Sequence, residues 1–175
     1  MAAAEFGHLG KLQERLESLG ADPFAAMETF RPGFDSFHRH TAPADWYEGL
    51  IKAYVGDGLA ADFYREIAAY LDPETREVII SSLEDTGQTA FIVERVRAGI
   101  ASDHRLGGRL ALWGRRLMGE ALTQAQRVAG DRDSLTALLA GGVDRPGLDL
   151  AALARMFARL TELHAARMAE LGLDA

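Results

Sequence analysis

Cysteine is absent from this chain of 175 residues. Its absence excludes disulfide bonds, thiolate metal ligands and thiol nucleophiles, so any metal site must use oxygen and nitrogen ligands. Long apolar runs are also missing, because no stretch approaches the roughly 18 apolar residues of a membrane-spanning helix. The first residues lack the basic segment and long apolar core of a signal peptide. Together these absences predict a cytoplasmic protein that is not embedded in a membrane.

Basic residues are fewer than acidic ones, with 19 Lys and Arg against 26 Asp and Glu, which gives a formal net charge of -7. This balance argues against indiscriminate binding to nucleic acid or anionic membranes. Composition leaves open a local basic patch, for which five arginines are candidates: Arg105, Arg109, Arg115, Arg116 and Arg127. Contact between such a patch and the phosphates of a nucleic acid requires several of these arginines on one surface.

The chain shows no convincing strand pattern and no glycine-rich phosphate loop. Instead, apolar residues recur at steps of three and four along most of its length, which predicts an all-α fold. A length of 175 residues is most simply a single domain, spanning residues 1–175. Short N-terminal helices over about 1–40 are expected to cover a core of four long helices over about 43–171.

The N-terminal segment predicts two short helices. The first covers residues 6–19 and stops at Gly20. The second starts at Asp22-Pro23, where the aspartate caps the helix and the proline takes its first position, and runs to about Phe30. Five apolar residues form a strap that carries no chemistry of its own: Phe24, Met27, Phe30, Phe34 and Phe37.

Four long helices are predicted to follow. The first spans about 41–70, and the second starts at Asp72-Pro73 and continues to about 101, so the tight joint makes them antiparallel neighbours. Asp103 caps the third helix, and the fourth spans 150–171. The connection between the second and third helices is left open between a tight hairpin and a crossover, because Gly107-Gly108 can delay the third helix.

Asp57 is an acidic residue on an otherwise largely apolar helix face. It lies in the middle of an apolar stripe of the first long helix that includes Trp46, Leu50 and Tyr64 at steps of three and four. A carboxylate on a buried face loses its hydration, which is costly unless a cation, a hydrogen-bond donor or a proton compensates it. The sequence therefore predicts that polar groups from the other helices meet Asp57.

Each of the other long helices also has polar residues on its predicted inward face. They are Asp85 and Gln88 on the second helix, Glu120 on the third, and Thr161 and His164 on the fourth. A bundle that gathers carboxylates and imidazoles at its centre is typical of di-metal carboxylate sites, with one Glu on each of two helices and Glu-x-x-His on the other two. Residues i and i+3 share a helix face, so one helix can supply both ligands.

At these residues the chain resembles the ferritin-like superfamily and, within it, the tRNA-(2-methylthio-isopentenyladenosine)-hydroxylase-like family. The resemblance runs from about 22 to 171 and rests on Thr41-Ala-Pro-Ala-Asp-Trp-Tyr-Glu-Gly-Leu, Ala53-Tyr-Val-Gly-Asp-Gly-Leu-Ala-Ala-Asp-Phe, Glu84-Asp-Thr-Gly-Gln, Leu112-Trp-Gly-Arg-Arg-Leu-Met-Gly-Glu-Ala and Leu160-Thr-Glu-Leu-His. It implies a ferritin-like four-helix bundle. In members with a complete site it also implies a non-haem di-iron centre that uses oxygen to hydroxylate a modified adenosine in tRNA.

The resemblance also implies that the metal site of this chain is depleted. Only Glu120 and His164 match the family's ligand pattern outright. Asp57 and Asp85 stand in place of longer glutamates. The two Glu-x-x-His motifs are each broken, because Gln88 replaces an imidazole with an amide and Thr161 replaces a carboxylate with a hydroxyl.

Three interpretations of the six residues remain open at this point. They can form a metal-free relic in which the polar groups hydrogen-bond one another, or a single iron site bound by Asp85, Glu120 and His164. They can also form an intact di-iron oxygenase. The sequence predicts a protein that binds one metal ion or none, with an active non-haem iron monooxygenase on tRNA as the alternative. A non-catalytic bundle is expected to pair as a homodimer through an exposed apolar helix face.

Overall fold

The computed structural model of the chain describes residues 2–83, 89–131, 133 and 150–175, with side chains from residue 6 onward except at 129 and 150. These residues form helices joined by short turns, and no strand occurs among them. The predicted all-α fold is therefore confirmed. None of the helices in the described ranges is long and apolar enough to cross a membrane.

Three helices precede the core: α1 (Ala2–Ser18), α2 (Pro23–Glu28) and α3 (Arg31–His40). Asp22 caps α2 as predicted, since its carboxylate accepts hydrogen bonds from the backbone N–H groups of Phe24 (2.9 Å) and Ala25 (3.0 Å). The third helix was not predicted, because Pro32 was interpreted as a break. Pro32 instead lies in the first turn of α3, where a missing N–H costs no hydrogen bond.

The first long helix consists of α4 (Trp46–Ile51), a π-helix (Lys52–Gly56) and α5 (Asp57–Ala68). Asp45 caps it, because its carboxylate accepts a hydrogen bond of 3.0 Å from the backbone N–H of Glu48. The second is described as α6 (Pro73–Ser82) and α7 (Thr89–Ser102), with Asp72 capping α6 through the N–H of Thr75 at 3.0 Å.

The third long helix is α8 (His104–Asp131), and the fourth is α9 (Leu150–Glu170). Asp103 alone separates α7 from α8, and its carboxylate accepts a hydrogen bond of 2.9 Å from the backbone N–H of Arg105. The two helices pack against each other. The connection that the sequence left open is therefore a tight hairpin.

The core lies where the long helices meet. α4 packs against α7 and α8, while α5 packs against α6, α8 and α9. Fully or almost fully buried side chains fill the space between them: Ile51, Val55, Val96, Leu110, Leu117, Met168 and Leu171. α1 lies on α6, and α3 lies on α8, so these two short helices do cover the core.

The five strap residues of α2 and α3 differ in burial. Phe37 packs against the core, but Phe24, Met27, Phe30 and Phe34 are exposed. Of the strap, only Phe37 therefore adds to the core. α3 packs against α8, and Phe30 lines a pocket together with Gln124 and Arg127 of α8.

The C-terminal end of α9 is closed by a Schellman motif. Gly172 has φ 76°, a conformation that glycine adopts without strain. The N–H of Leu173 bonds to the Met168 carbonyl (3.0 Å), and the N–H of Gly172 bonds to the Ala169 carbonyl (2.9 Å). Because Leu171 and Leu173 are both buried, this cap anchors α9 in the core.

Candidate functional site

The structure describes four of the six predicted ligand residues, and among those four only His164 is buried, with 4% of its surface exposed. Asp57 and Thr161 are exposed, and Glu120 is half-buried. The Thr161 hydroxyl donates a hydrogen bond of 2.9 Å to the Phe157 carbonyl within α9. Asp85 and Gln88 lie outside the described residues.

The prediction that Asp57 lies on the buried face is wrong. The buried face of this helix follows steps of four and three from Ile51 through Val55 and Leu59 to Asp62, and Asp57 is exposed. Asp57 and Tyr64 turn outward, and Asp62 turns inward. Trp46, the first residue of α4, is also exposed, at 65%.

Asp62 is a carboxylate that the bundle buries, with 6% of its surface exposed. Each of its oxygens accepts a hydrogen bond from an arginine. Nη2 of Arg167 on α9 lies 2.7 Å from Oδ2, and Nη1 of Arg65 lies 3.1 Å from Oδ1. Arg65 is largely exposed, whereas the Arg167 side chain is mostly buried. The pair with Arg167 compensates the buried charge and joins α5 to α9.

Gly58 allows Arg167 to reach Asp62 across the surface of α5. A Cβ atom built on Gly58 would lie 2.2 Å from Nε and 2.4 Å from Cζ of Arg167, far inside normal contact distance. Gly58 precedes Asp62 by four residues, so both lie on the face of α5 that meets α9. A side chain at position 58 would collide with Arg167, so this ion pair requires a glycine there.

His164 lies one turn before Arg167 on the same face of α9. Both of its ring nitrogens are buried, and neither has a hydrogen-bond partner among the described residues. Burial lowers the pKa of His164, and the positive charge of Arg167 lowers it further. At neutral pH the imidazole is therefore uncharged, with one N–H donor and one acceptor nitrogen.

A second buried acid, Glu48, has a structural role. Its carboxylate accepts hydrogen bonds from Nη1 of Arg109 (2.6 Å) and from the backbone N–H of Ala44 (2.7 Å). Arg109 also pairs with Asp45, and the indole N–H of Trp113 donates to the Glu48 carbonyl at 3.0 Å. This cluster joins α4 to α8, and both carboxylate oxygens of Glu48 accept hydrogen bonds from groups of the same chain.

A family model described as a ferritin-like domain of actinomycetes matches residues 1–142. The chain belongs to this ferritin-like family. The match covers α1 to α8 and ends before α9, which carries His164 and Arg167. It confirms the ferritin-like resemblance without distinguishing the tRNA hydroxylase-like family, which stays a prediction. No curated protein matches the chain.

The described part of this ferritin-like bundle does not fit a di-metal centre. Within the described ranges, no three His, Asp or Glu side chains converge on a point that could hold a metal ion. Asp62 is already bound by two arginines. The charge of Arg167 also opposes a metal cation beside His164, for the same reason that it opposes a proton there.

Sequence reasoning missed Asp62, Arg167, Gly58 and Glu48. Asp62 was missed because the predicted stripe runs through Leu50, whereas helical spacing from the neighbouring Ile51 leads to Asp62. Arg167 had a usable signal, since it follows His164 by three residues and therefore brings a cation to the face that was assigned to metal.

Proposed function

We propose that this ferritin-like protein is a non-catalytic helical module without a di-metal centre and that, of the expected one metal ion or none, it binds none at His164. The ion pair between Asp62 and Arg167, on the helix face that also carries His164, is the observation that supports the proposal most strongly. An arginine held there by a buried carboxylate supplies the cationic charge that a metal would otherwise bring to this part of the bundle.

The balance of charge supports the same conclusion. A di-iron carboxylate site in a bundle gathers four carboxylates and two imidazoles around its two cations. Among the described residues, the carboxylate of Asp62 pairs with the two guanidinium groups of Arg65 and Arg167, and the charge of Arg167 also acts on His164. Because His164 is uncharged at neutral pH, these described side chains together carry one excess positive charge. Such an environment disfavours a further cation.

Metal content tests the proposal. Protein purified without chelator is incubated with ferrous iron, manganese or zinc, desalted, and analysed for metal before and after replacement of His164 by Ala. We expect well under one ion per chain in both proteins and no change in melting temperature with any of the metals, because a metal that binds the native state must stabilise it. One ion per chain that His164→Ala removes would contradict the proposal.

The alternative is a single iron bound by Asp85, Glu120 and His164 that supports oxygen-dependent hydroxylation of a modified tRNA adenosine. Asp85 lies outside the described residues, so this alternative stays a prediction. It requires that Asp85→Ala abolish iron binding while Asp57→Ala, at an exposed position, leaves it unchanged. If Asp85→Ala loses iron while Asp57→Ala retains it, the result favours the single-iron oxygenase.

Contact with tRNA also stays a prediction. Three of the five arginines of α8 make contacts within the chain. Arg109 pairs with Glu48, Arg115 donates a hydrogen bond of 3.0 Å to the Asp174 carbonyl, and Arg116 donates one of 2.6 Å to the His40 carbonyl. These contacts reduce the number of guanidinium groups that remain for phosphates, on which affinity for nucleic acid depends.

As the partner of this module we propose a second copy of the chain, bound through the exposed part of the strap. Phe24, Met27, Phe30 and Phe34, here called the α2–α3 stripe, recur at steps of three and four. Hydrogen bonds from Phe30 N–H to the Met27 carbonyl (2.9 Å) and from Phe34 N–H to the Phe30 carbonyl (3.2 Å) keep the backbone nearly helical across the joint. Phe24 is 70% and Phe34 56% exposed.

The size of the α2–α3 stripe suits a modest interface. Given the area of an aromatic side chain, its four members expose on the order of 400 Å². A standard interface buries about 800 Å² on each partner, roughly half of it apolar. The stripe can therefore supply the apolar centre of a homodimer interface, with polar residues around it as the rim.

A further inference from the structure

One face of α9 presents three buried polar atoms without a hydrogen-bond partner among the described residues. They are Nδ1 and Nε2 of His164 and Nη1 of Arg167. His164 is more than nine-tenths buried, and the Arg167 side chain is 15% exposed. Buried polar atoms in native proteins are paired in the great majority of cases, because an unpaired one costs free energy. The three atoms belong to two side chains that lie one helical turn apart on the same face of α9.

The donor inventory of these side chains defines the ligand. A guanidinium group has only donors, and an uncharged imidazole offers one donor, so a ligand that bridges them must accept hydrogen bonds. Arg167 Nη2 is already used by Asp62, which leaves the N–H groups of Nη1 for the ligand. The excess positive charge around Asp62 favours an acceptor that carries negative charge over a neutral one.

The surroundings limit the size and hydration of the ligand. Leu160, one turn before His164 on α9, and Leu59, one turn before Asp62 on α5, are both buried. An ion beside them must give up most of its water, which costs more for a strongly hydrated ion such as fluoride than for bromide or formate. A small, weakly hydrated anion is the class that fits.

We propose that Arg167 Nη1 and a ring N–H of His164 bind a small monovalent anion, such as a halide or formate, between α5 and α9. The anion site would balance the charge that the single carboxylate of Asp62 leaves uncompensated. The inference rests on the proposed function in one respect, namely that no metal ion occupies His164.

Thermal unfolding at constant ionic strength tests the anion site. Sodium fluoride is replaced stepwise by sodium chloride, bromide or formate, so that only the identity of the anion changes. We expect a saturable rise in melting temperature of about 3 °C at roughly ten times the dissociation constant, with bromide and formate above fluoride. Equal melting temperatures in all four salts would overturn the proposal.

Two variants separate this site from general salt effects. Arg167→Gln removes the donor and should abolish the dependence on the anion. Arg159→Gln, on the same helix, breaks a surface pair with Glu66 and should keep it. A dependence that survives Arg167→Gln would overturn the proposal.

Crystals of the wild-type protein grown in bromide decide the question even if Arg167→Gln does not fold. We expect an anomalous bromine peak within hydrogen-bond distance of Arg167 Nη1 and the His164 ring. A water molecule there and no bromine peak would overturn the anion site and leave the proposed function intact. A metal ion bound to His164 would overturn both.

Discussion

Arg167 determines by its charge what the interior of this bundle can hold. It satisfies a buried carboxylate on α5, lowers the pKa of His164 and occupies the space above Gly58. Each of these effects depends on one guanidinium group, which the sequence places three residues after the predicted ligand His164. A change at this residue is therefore expected to affect stability more strongly than a change at any of the exposed predicted ligands.

Replacement of Arg167 by Met leaves Asp62 buried with Arg65 as its remaining partner. We expect the free energy of unfolding to fall by about 3 kcal/mol, the lower end for a broken buried pair, because Arg65 still compensates part of the charge. Urea unfolding measures this difference. Arg159→Met breaks the surface pair with Glu66 on the same helix and should cost far less. Equal losses in the two variants would show that the Asp62–Arg167 pair is not a buried one.

His164 makes stability depend on pH in a defined direction. Its pKa in the folded protein lies below the value of about 6.5 expected in the unfolded chain, because burial and Arg167 disfavour the imidazolium. The unfolded state therefore takes up a proton first as the pH falls. Stability decreases from about pH 6.5 downward until the folded pKa is reached.

Unfolding free energies at pH 7.5 and pH 5.5 test this dependence. His164→Gln should lose less stability between these two values than the wild type, since its side chain does not titrate. The same substitution at exposed His104 is the matched control and should behave as the wild type does. An unchanged loss of stability in His164→Gln would mean that His164 is not the group responsible.

Among the helices, the first long one buries the face that carries Asp62 and not the face that carries Asp57. This face runs from Ile51 through Val55 and Leu59 at steps of four, and Asp62 continues it after three residues. The π-helix Lys52–Gly56 contributes Val55 to the core and packs against α8 and α9. The number of residues in this segment therefore fixes how α5 is rotated relative to α4.

Deletion of Gly56 tests the role of the π-helix. Removing one residue should restore an α-helical register, rotate α5 by about 100° and separate Asp62 from Arg167. We expect a large drop in melting temperature by circular dichroism. Gly56→Ala keeps the number of residues, and a Cβ atom there meets nothing within 4 Å, so this variant should melt close to the wild type. A deletion variant as stable as the wild type would refute the register argument.

Sequence reasoning succeeded where local rules and a constant helical period hold. Asp22 and Asp103 cap the helices they were expected to cap, because capping depends on a few neighbouring residues. The inward faces of α8 and α9 also follow the predicted period, as Leu110, Leu117, Leu160 and Met168 are buried. These helices contain no π-helical turn within their described residues.

The candidate site could not be predicted to the same extent. Leu50 and Ile51 are both apolar, and a stripe drawn through Leu50 instead of the fully buried Ile51 selects Asp57 in place of Asp62. His164 was placed correctly because α9 is regular. Its partners were missed, since pairing between Asp62 and Arg167 depends on how α5 and α9 approach each other at Gly58.

At the scale of the whole molecule, the α2–α3 stripe adds an exposed apolar surface to a protein of net charge -7. Phe24→Ser combined with Phe34→Ser should shift sedimentation from dimer to monomer, because the variant loses the apolar centre of the proposed interface. Leu112→Ser alters an exposed apolar residue of α8 outside the stripe and should remain dimeric. A dimer that loses stability only in Leu112→Ser would place the interface on α8 instead.

We propose that an ion pair, and not a metal, occupies the interior of this ferritin-like bundle. Anomalous diffraction at the iron edge, from crystals grown anaerobically with ferrous iron, is the direct test. We expect no iron peak at His164 and electron density that joins Arg167 to Asp62, as in the contact of 2.7 Å described above. An iron peak bound to His164, with Arg167 turned away from Asp62, would contradict it.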